Sequence, residues 1–365
     1  RLFLLQIWKA GGVMGNWYTS RERVKRAANI NGTASNAQID RIIESSSRDI
    51  DQSTRRRFIP ITATKTYGYP RIMPMPSWVL WLDEDLQSVT TLQTKAQNTS
   101  PTTIASSDYF LEPNNYGPPY NRIEIDQSSS ASWESGDTAQ RSISIAGSWG
   151  YNSETKSSGT VASGLDSDST ATSMVCSDSF KIGVGDTLLI QSEQIFVSDK
   201  TSAALGSILL NGALTATKSQ VTVTVDGSHG IVAGEVLLVE SERMFVESVS
   251  TNDLTVIRAY DGSILAAHNN DTAVHIFRTL TIERGANGTT AATHADATAI
   301  SAYKIPQDIE SLCLAESLAT YFQEEAGFGR SVGVGDGAIE FTARDLASRR
   351  MHTERYYRKA RTGVI

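Results

Sequence analysis

Apolar residues recur near a 3.6-residue period from Ser35 to Phe58, where Ile39, Ile42, Ile43 and Ile50 align and Ser46 is the one gap. That spacing predicts one long helix. Ser35 and Gln38 have capping-box spacing at its start. Arg55, Arg56 and Arg57 stand where the helix dipole favours cations, and Pro60 prevents continuation. The opposite face carries Asp40, Arg41, Glu44, Arg48 and Asp51. A shorter helix is predicted upstream, from a second capping box at Thr19 and Glu22 through about Ala28 and ending at Asn31-Gly32. The helical period returns after Pro306, with Ile309, Leu312, Cys313, Leu318, Ala319 and Phe322 on one stripe and Gly327 and Gly329 closing it. A last helix is predicted from about Ala343 to Tyr357.

Between these ends the pattern belongs to strands. Trp78–Leu82, Val89–Leu92, Tyr109–Leu111, Arg122–Ile125 and Ser142–Ala146 are strand candidates, separated by proline- and asparagine-rich turns. Residues 151–175 are rich in Ser, Thr and Gly and read as a linker or exposed loop. A repeat follows. Ile182–Val197 aligns without gaps to Ile231–Val246, and Leu254–His268 aligns to Leu280–His294. The order is first half, first half, second half, second half. Nesting is the simplest account: a small β module at 176–200 plus 279–302, interrupted by a second copy at about 221–277. Two tandem modules with one decayed half are the alternative. The expected fold class is α+β: a helical core with a small antiparallel β element, plus a large all-β insertion of two related small modules. In that scheme 14–150 and 303–342 form the core and 151–302 the insertion. Residues 1–13 form an N-terminal extension or arm, and 343–365 a basic C-terminal arm. The end helices are expected to pack on one another and on the strands of 75–150, so that excising 151–302 leaves the core whole.

Charge sharpens this division. The chain is 365 residues long with a net charge of −7. Residues 151–300 hold 17 Asp/Glu against 8 Lys/Arg, whereas Ala343–Arg361 holds seven Lys/Arg against Asp345 and Glu354. An acidic middle with a basic tail suggests that the ends meet a partner while the middle faces water. Cys176 and Cys313 form no metal or redox motif, which implies a reducing compartment without a disulfide framework. No apolar run has the length of a membrane span, and the opening residues have neither the lysine-rich lead nor the cleavage site of a signal peptide.

Candidate chemistry is sparse. His268 and His294 occupy equivalent repeat positions, each ten residues after an arginine, Arg258 or Arg284. A repeated ligand site and a structural corner both fit, and the corner is favoured because no ligand set accompanies them. Glu193, Glu242, Asp186 and Glu235 read as solvated strand faces. Gly333–Gly337 lacks the remaining residues of a phosphate loop. No catalytic constellation, metal site or cofactor is expected. The basic C-terminus, Arg344, Arg349, Arg350, Arg355, Arg358, Lys359 and Arg361, interleaves with Tyr356 and Tyr357, a composition suited to interface anchors and to phosphates.

Several stretches together carry a resemblance: MGNWYTSRERVKRAANI from Met14, the long helix ending Arg55-Arg-Arg-Phe-Ile-Pro60, Leu80–Leu86 before Val89–Leu92, and Ile143–Gly150 before Pro306–Ile309. They resemble the head-to-tail adaptor proteins of tailed bacteriophages, also called head completion or connector proteins. The resemblance covers about 14–150 and 303–365, and the 151–302 insertion departs from it. It implies a structural virion protein of the neck, assembled in the host cytoplasm. It also implies a homo-oligomeric ring, commonly of twelve subunits, below the portal protein. Such a ring extends the DNA channel, contacts genomic DNA without reading sequence, and receives tail or neck proteins. The basic C-terminal arm would then face the portal or the DNA channel. Arg41, Glu44, Arg48, Arg55, Arg56 and Arg57 would face the next subunit. A carbohydrate- or receptor-binding role for the repeated modules is the alternative, with Trp133, Trp149 and the Asn/Asp-Gly loops as its candidates.

Overall fold

Strands outweigh helices in this molecule. The structure, a computed structural model, describes residues 16–70, 76–166, 168–327, 331–332, 339–340 and 343–359. Among them are an antiparallel sheet of six strands, another of ten, and four α-helices. The expectation of a helical core with a small β element is therefore corrected. The reason is legible in the burial: the strands before residue 150 build a core of their own rather than serving as a floor for helices.

That first sheet comprises β1 (Ile61–Tyr67), β2 (Val79–Thr94), β3 (Thr102–Ile104), β4 (Tyr109–Glu112), β5 (Tyr120–Ile125) and β6 (Ile143–Trp149). The two strand candidates before Leu92 are one long strand. β2 bends through register shifts between Leu86 and Ser88 and between Val89 and Thr91, so one end pairs with β5 and the other with β3, while β6 runs alongside. Leu82, Leu86, Ile123, Ile143, Ile145 and Trp149 fill its core.

The second sheet comprises β7 (Thr155–Thr160), β8 (Ser173–Val175), β9 (Thr187–Ile190), β10 (Glu193–Leu209), β11 (Thr222–Thr224), β12 (Val236–Val239), β13 (Glu242–Ser250), β14 (Asp253–Ile257), β15 (Ala273–Glu283) and β16 (Ala299–Tyr303). It closes twice. β7, β16, β9, β10, β15 and β8 pair in that order, and a bridge between Val161 and Cys176 joins the last to the first. β11, β14, β13, β12, β15 and β10 pair likewise, and the bridge between Leu210 and Val225 closes that ring. Two six-stranded barrels thus share β10 and β15. Val197 to Thr201 pairs with Thr279 to Ile282 in the inner barrel, and Ala203 to Leu209 pairs with Ala273 to Ile276 in the outer one. Each barrel has its own apolar core. One is drawn from 161–197 and 280–302, the other from 210–276. Closure leaves few free strand edges in so polar a segment.

The serine- and threonine-rich stretch at 151–175 is not a linker. It supplies β7 and β8, and Val161, Leu165 and Met174 are core residues. Val161 and Leu165 bridge to Cys176 and His294, as Leu210 and Leu214 bridge to Val225 and His268. The repeat therefore begins upstream of where identity is visible.

The helices are α1 (Arg21–Ala27), α2 (Asn36–Thr54), α3 (Gln307–Glu325) and α4 (Ala343–Tyr357). Neither expected capping box forms. Ser35 makes no side-chain cap, its hydroxyl lying 3.2 Å from that of Tyr321. The N-cap of α1 is Ser20, while Glu22 accepts the Val184 amide instead. α2 ends at Arg55, which is left-handed with φ 56°. The isoleucine stripe of α2 packs on Ile309, Leu312, Cys313 and Tyr321 of α3, and Ser46, the gap in the stripe, is buried too. The rest of this core comes from the inner barrel: Val184, Phe196 and Ala286 join Trp17, Tyr18, Phe58 and Ile59. Trp17 meets Phe196 edge-on, with centroids 5.6 Å apart. The helical layer therefore packs on the insertion, contrary to the expectation that the strands of 75–150 receive it.

Candidate functional site

Two places concentrate charge: the repeated barrel corner and the meeting of α2 with α4. The corner recurs in each barrel with the same atoms. Arg284 Nε donates to Glu193 Oε1 at 2.7 Å and its Nη2 donates to Oε2 at 2.9 Å. The amides of Gly285 and Ala292 and the Nε2 of His294 also reach this carboxylate. In the outer barrel Arg258, Ala259, Ala266 and His268 surround Glu242 in the same way. All six side chains of the two Glu–Arg–His sets are fully buried. Burial opposes the negative charge, but hydrogen bonds from the arginine, the histidine and two amides outweigh it, holding Glu193 and Glu242 at about 2. The carboxylates are thereby saturated. The arrangement is a structural corner, and among the described residues no group of three or more His, Cys, Asp or Glu could hold a metal ion.

The reading of Glu193, Glu242 and Glu235 as solvated faces is corrected, since all three are buried. Glu235 accepts two bonds from Arg278, at 2.8 and 2.7 Å, and the Val232 amide at 3.0 Å. Asp186, its repeat equivalent, accepts the Gly183 amide. Trp133 and Trp149, candidates for sugar stacking, lie in the core of the six-stranded sheet. The loop Gly333–Gly337 lies outside the described residues.

The second place brings the two sequence-selected sets together. Arg56, just past α2, donates to Asp85 Oδ2 at 2.7 Å and to the Tyr357 carbonyl, with its guanidinium 4.7 Å from the Tyr151 ring centroid. Lys359 lies 3.1 Å from the other oxygen of Asp85, and its amide donates to the Thr54 carbonyl at 2.9 Å. Tyr357 packs edge-on against Phe58 and Tyr151, each at 5.4 Å. Arg350 contacts Glu316 at 3.1 Å, and Arg349 donates to Ser311 at 3.2 Å. Tyr357 and Lys359 are therefore the pins that hold α4 in place. Arg355, Tyr356 and Arg358 are exposed, with Met351 and His352 beside them; the His352 and Tyr356 rings lie 4.8 Å apart. Arg344 lies on α4, but its side chain, and all of Arg361, lie outside the described residues.

The α2 set is mostly engaged within the chain. Arg41 pairs with Glu324 at 2.7 Å, and Arg48 with Asp51 at 2.8 Å and with the Asn16 carbonyl. Burial pushes Asp51 up to about 6, against the pull of Arg48 and of the Tyr18 hydroxyl. Glu44 is exposed. Arg55 and Arg57 border a hollow of about 380 Å³ that also reaches Asp83 and Gly150. Tyr18, Asp51 and Asp85, which organise this junction, carried no sequence signal beyond their charge or aromaticity. No family model, no curated protein and no solved structure matches this chain.

Proposed function

We propose that the chain is a structural head-to-tail adaptor of a tailed bacteriophage. In this reading it forms a ring below the portal and connects capsid to tail. The ring extends the DNA channel, and the protein works in the virion neck without catalysis. The observation that carries the reading is the outer face of α4. Met351, His352, Arg355 and Tyr356 stand exposed on the helix and Arg358 just past it, where Tyr357 and Lys359 anchor the chain in the core. Exposed arginine beside tyrosine is the composition of binding hot spots. Firm anchoring lowers the ordering cost of binding. This face suits an acidic portal surface or the phosphates of DNA in the channel.

Deleting 343–365 would remove Tyr357 and Lys359 from the core, so surface variants make the sharper test. The double variant Arg355→Glu, Tyr356→Ala is expected to melt like the parent yet fail to join a purified portal. Unchanged joining of the portal by a folded double variant would refute the reading.

A further inference from the structure

A cleft of about 1020 Å³ opens between α1, the inner barrel and the outer barrel. Its charge runs against the rest of the insertion. Lys156, Lys181, Lys200 and Arg243 are half of the cations in 151–300, and all four line it, facing the Arg21, Arg23, Lys25 and Arg26 of α1. Five of the eight are committed to pairs with acids of the cleft: Arg21 with Asp199, Arg23 with Glu310, Lys25 and Arg243 with Asp261, and Lys200 with Glu22. Arg26 and Lys156 are exposed, and Lys181, exposed too, lies 3.5 Å from Asp178. Glu22, Asp186, Asp199, Glu235, Asp261 and Glu310 line the cleft as well, so nine lining cations in all stand against six carboxylates and a surplus of three positive charges is left for an added anion to offset. A second observation points the same way. Trp17 Nε1 and Thr19 Oγ1, two donors on residues lining the cleft, are buried without a hydrogen-bond partner among the described residues. Trp17 is 8% exposed and Thr19 4%.

The outer barrel carries a complementary feature. The β13–β14 hairpin of the outer barrel and the turn after β11 present Glu247, Asp253 and Asp226. Glu247 and Asp253 are exposed. The Val225 amide ties the turn to the Asn252 carbonyl at 2.9 Å, and Thr224 donates to Asp253 at 2.6 Å. No salt bridge engages these three acids among the described residues.

We propose that this cleft receives the acidic hairpin tip of a second copy of the chain. The contact is heterologous, made by different patches on the two partners, which is the kind that closes into rings. It deepens the ring reading above and rests on it for closure. It also replaces the α2 face as the main subunit contact, since Arg41, Arg48 and Arg56 are engaged within the chain.

The test is a charge swap read by analytical ultracentrifugation at low and high salt. Wild type is expected to self-associate, and more weakly as salt rises. The cleft variant Arg26→Glu, Lys156→Glu, Lys181→Glu and the tip variant Asp226→Lys, Glu247→Lys, Asp253→Lys should each sediment as monomers with unchanged melting. An equimolar mixture should regain association, because the parental cleft of one meets the parental tip of the other. Wild type that stays monomeric, single variants that associate normally, or a mixture that stays monomeric would each overturn the proposal. Salt-sensitive binding of a DNA duplex to the cleft without self-association would overturn it as well, assigning the cleft to nucleic acid. A cleft variant that still joins a portal as a full ring sinks this inference alone, whereas unchanged portal binding by the folded α4 variant sinks only the adaptor reading.

Discussion

Glu193 and Glu242 are the residues on which the barrels turn. Each is a fully buried carboxylate whose lone pairs are filled by an arginine, a histidine and two amides. Their folded-state values of about 2 lie below the usual 4.5. A depressed value means stability present above pH 4.5 and lost as the pH falls towards 2. The urea midpoint of the barrels should therefore drop across that window, and Glu193→Gln should flatten part of the drop. Glu242→Ala leaves Arg258 buried and unpaired, so a loss of about 3–5 kcal/mol is expected in urea unfolding. A loss under ~1 kcal/mol would show that water reaches the corner. The sequence displayed the histidine and arginine of this corner by their repetition. It concealed the glutamate, because a glutamate in a strand is solvated by default and only the closed barrel puts it inside.

At the scale of elements, each barrel uses one glycine as a seat for an aromatic ring that precedes it in the chain. Gly185, at φ +102°, lies under Trp17, and its repeat equivalent Gly234, at φ +93°, lies under Phe180. A Cβ at either would enter the ring. The rings differ in freedom: Trp17 is buried against Phe196, while Phe180 is about half exposed. Both alanine variants carry left-handed strain of about 1–3 kcal/mol. Gly185→Ala should cost clearly more in calorimetric melting than Gly234→Ala, since Phe180 can swing aside. Equal losses would mean that strain alone matters. The docking of α4 has the opposite pH sense to the corners. Burial raises Glu316 to about 7, against Arg350, with Asp49 and Glu354 adding like charge. A raised carboxylate favours the packed helix while protonated and weakens it as pH climbs from 4.5 through about 7. Glu316→Gln should therefore raise protection of the α4 amides at pH 8 in hydrogen exchange and remove most of their pH dependence. Helix positions were legible from the apolar period, and α4 matches its expected span of Ala343 to Tyr357. What the helices pack against was not. An amphipathic stripe states that a partner exists, without saying which β segment supplies it.

For the whole molecule, the decisive relation is between the helical layer and the two barrels. Pattern and repeat alone suggested a removable insertion, because 151–302 begins and ends where the helical ends could rejoin. The packing separates the two barrels in this respect. The inner barrel gives Val184, Phe196 and Ala286 to the helical core, and its corner asparagine, Asn287, exchanges paired 2.9 Å bonds with Asn16. The outer barrel touches the helical layer mainly through Asp261, which pairs with Lys25 at 3.0 Å and accepts the Gly32 amide at 2.9 Å. Its core is fully its own. The shared strands pass from one barrel to the other between Thr201 and Ala203, where Thr201 faces Thr279 and Ala203 faces Ile276. Joining Ser202 to Arg278 through a two-residue Asn-Gly turn thus replaces the outer barrel with a tight hairpin. That shortened chain is expected to melt cooperatively and keep native near-ultraviolet dichroism from Trp17, since every residue packed around that ring is retained. Removing 155–303 instead takes away Val184, Phe196 and Ala286 and bares Trp17, Tyr18 and Ile59, so that chain should lose its cooperative transition. Each buried side chain of this size contributes about 1.5–3 kcal/mol, and losing several exceeds the usual ~5–15 kcal/mol margin of a folded domain once cavities are counted. Cooperative folding of the chain lacking 155–303 would show that the helices and the six-stranded sheet form a unit without the inner barrel, and would return the insertion to the removable module that its sequence suggested.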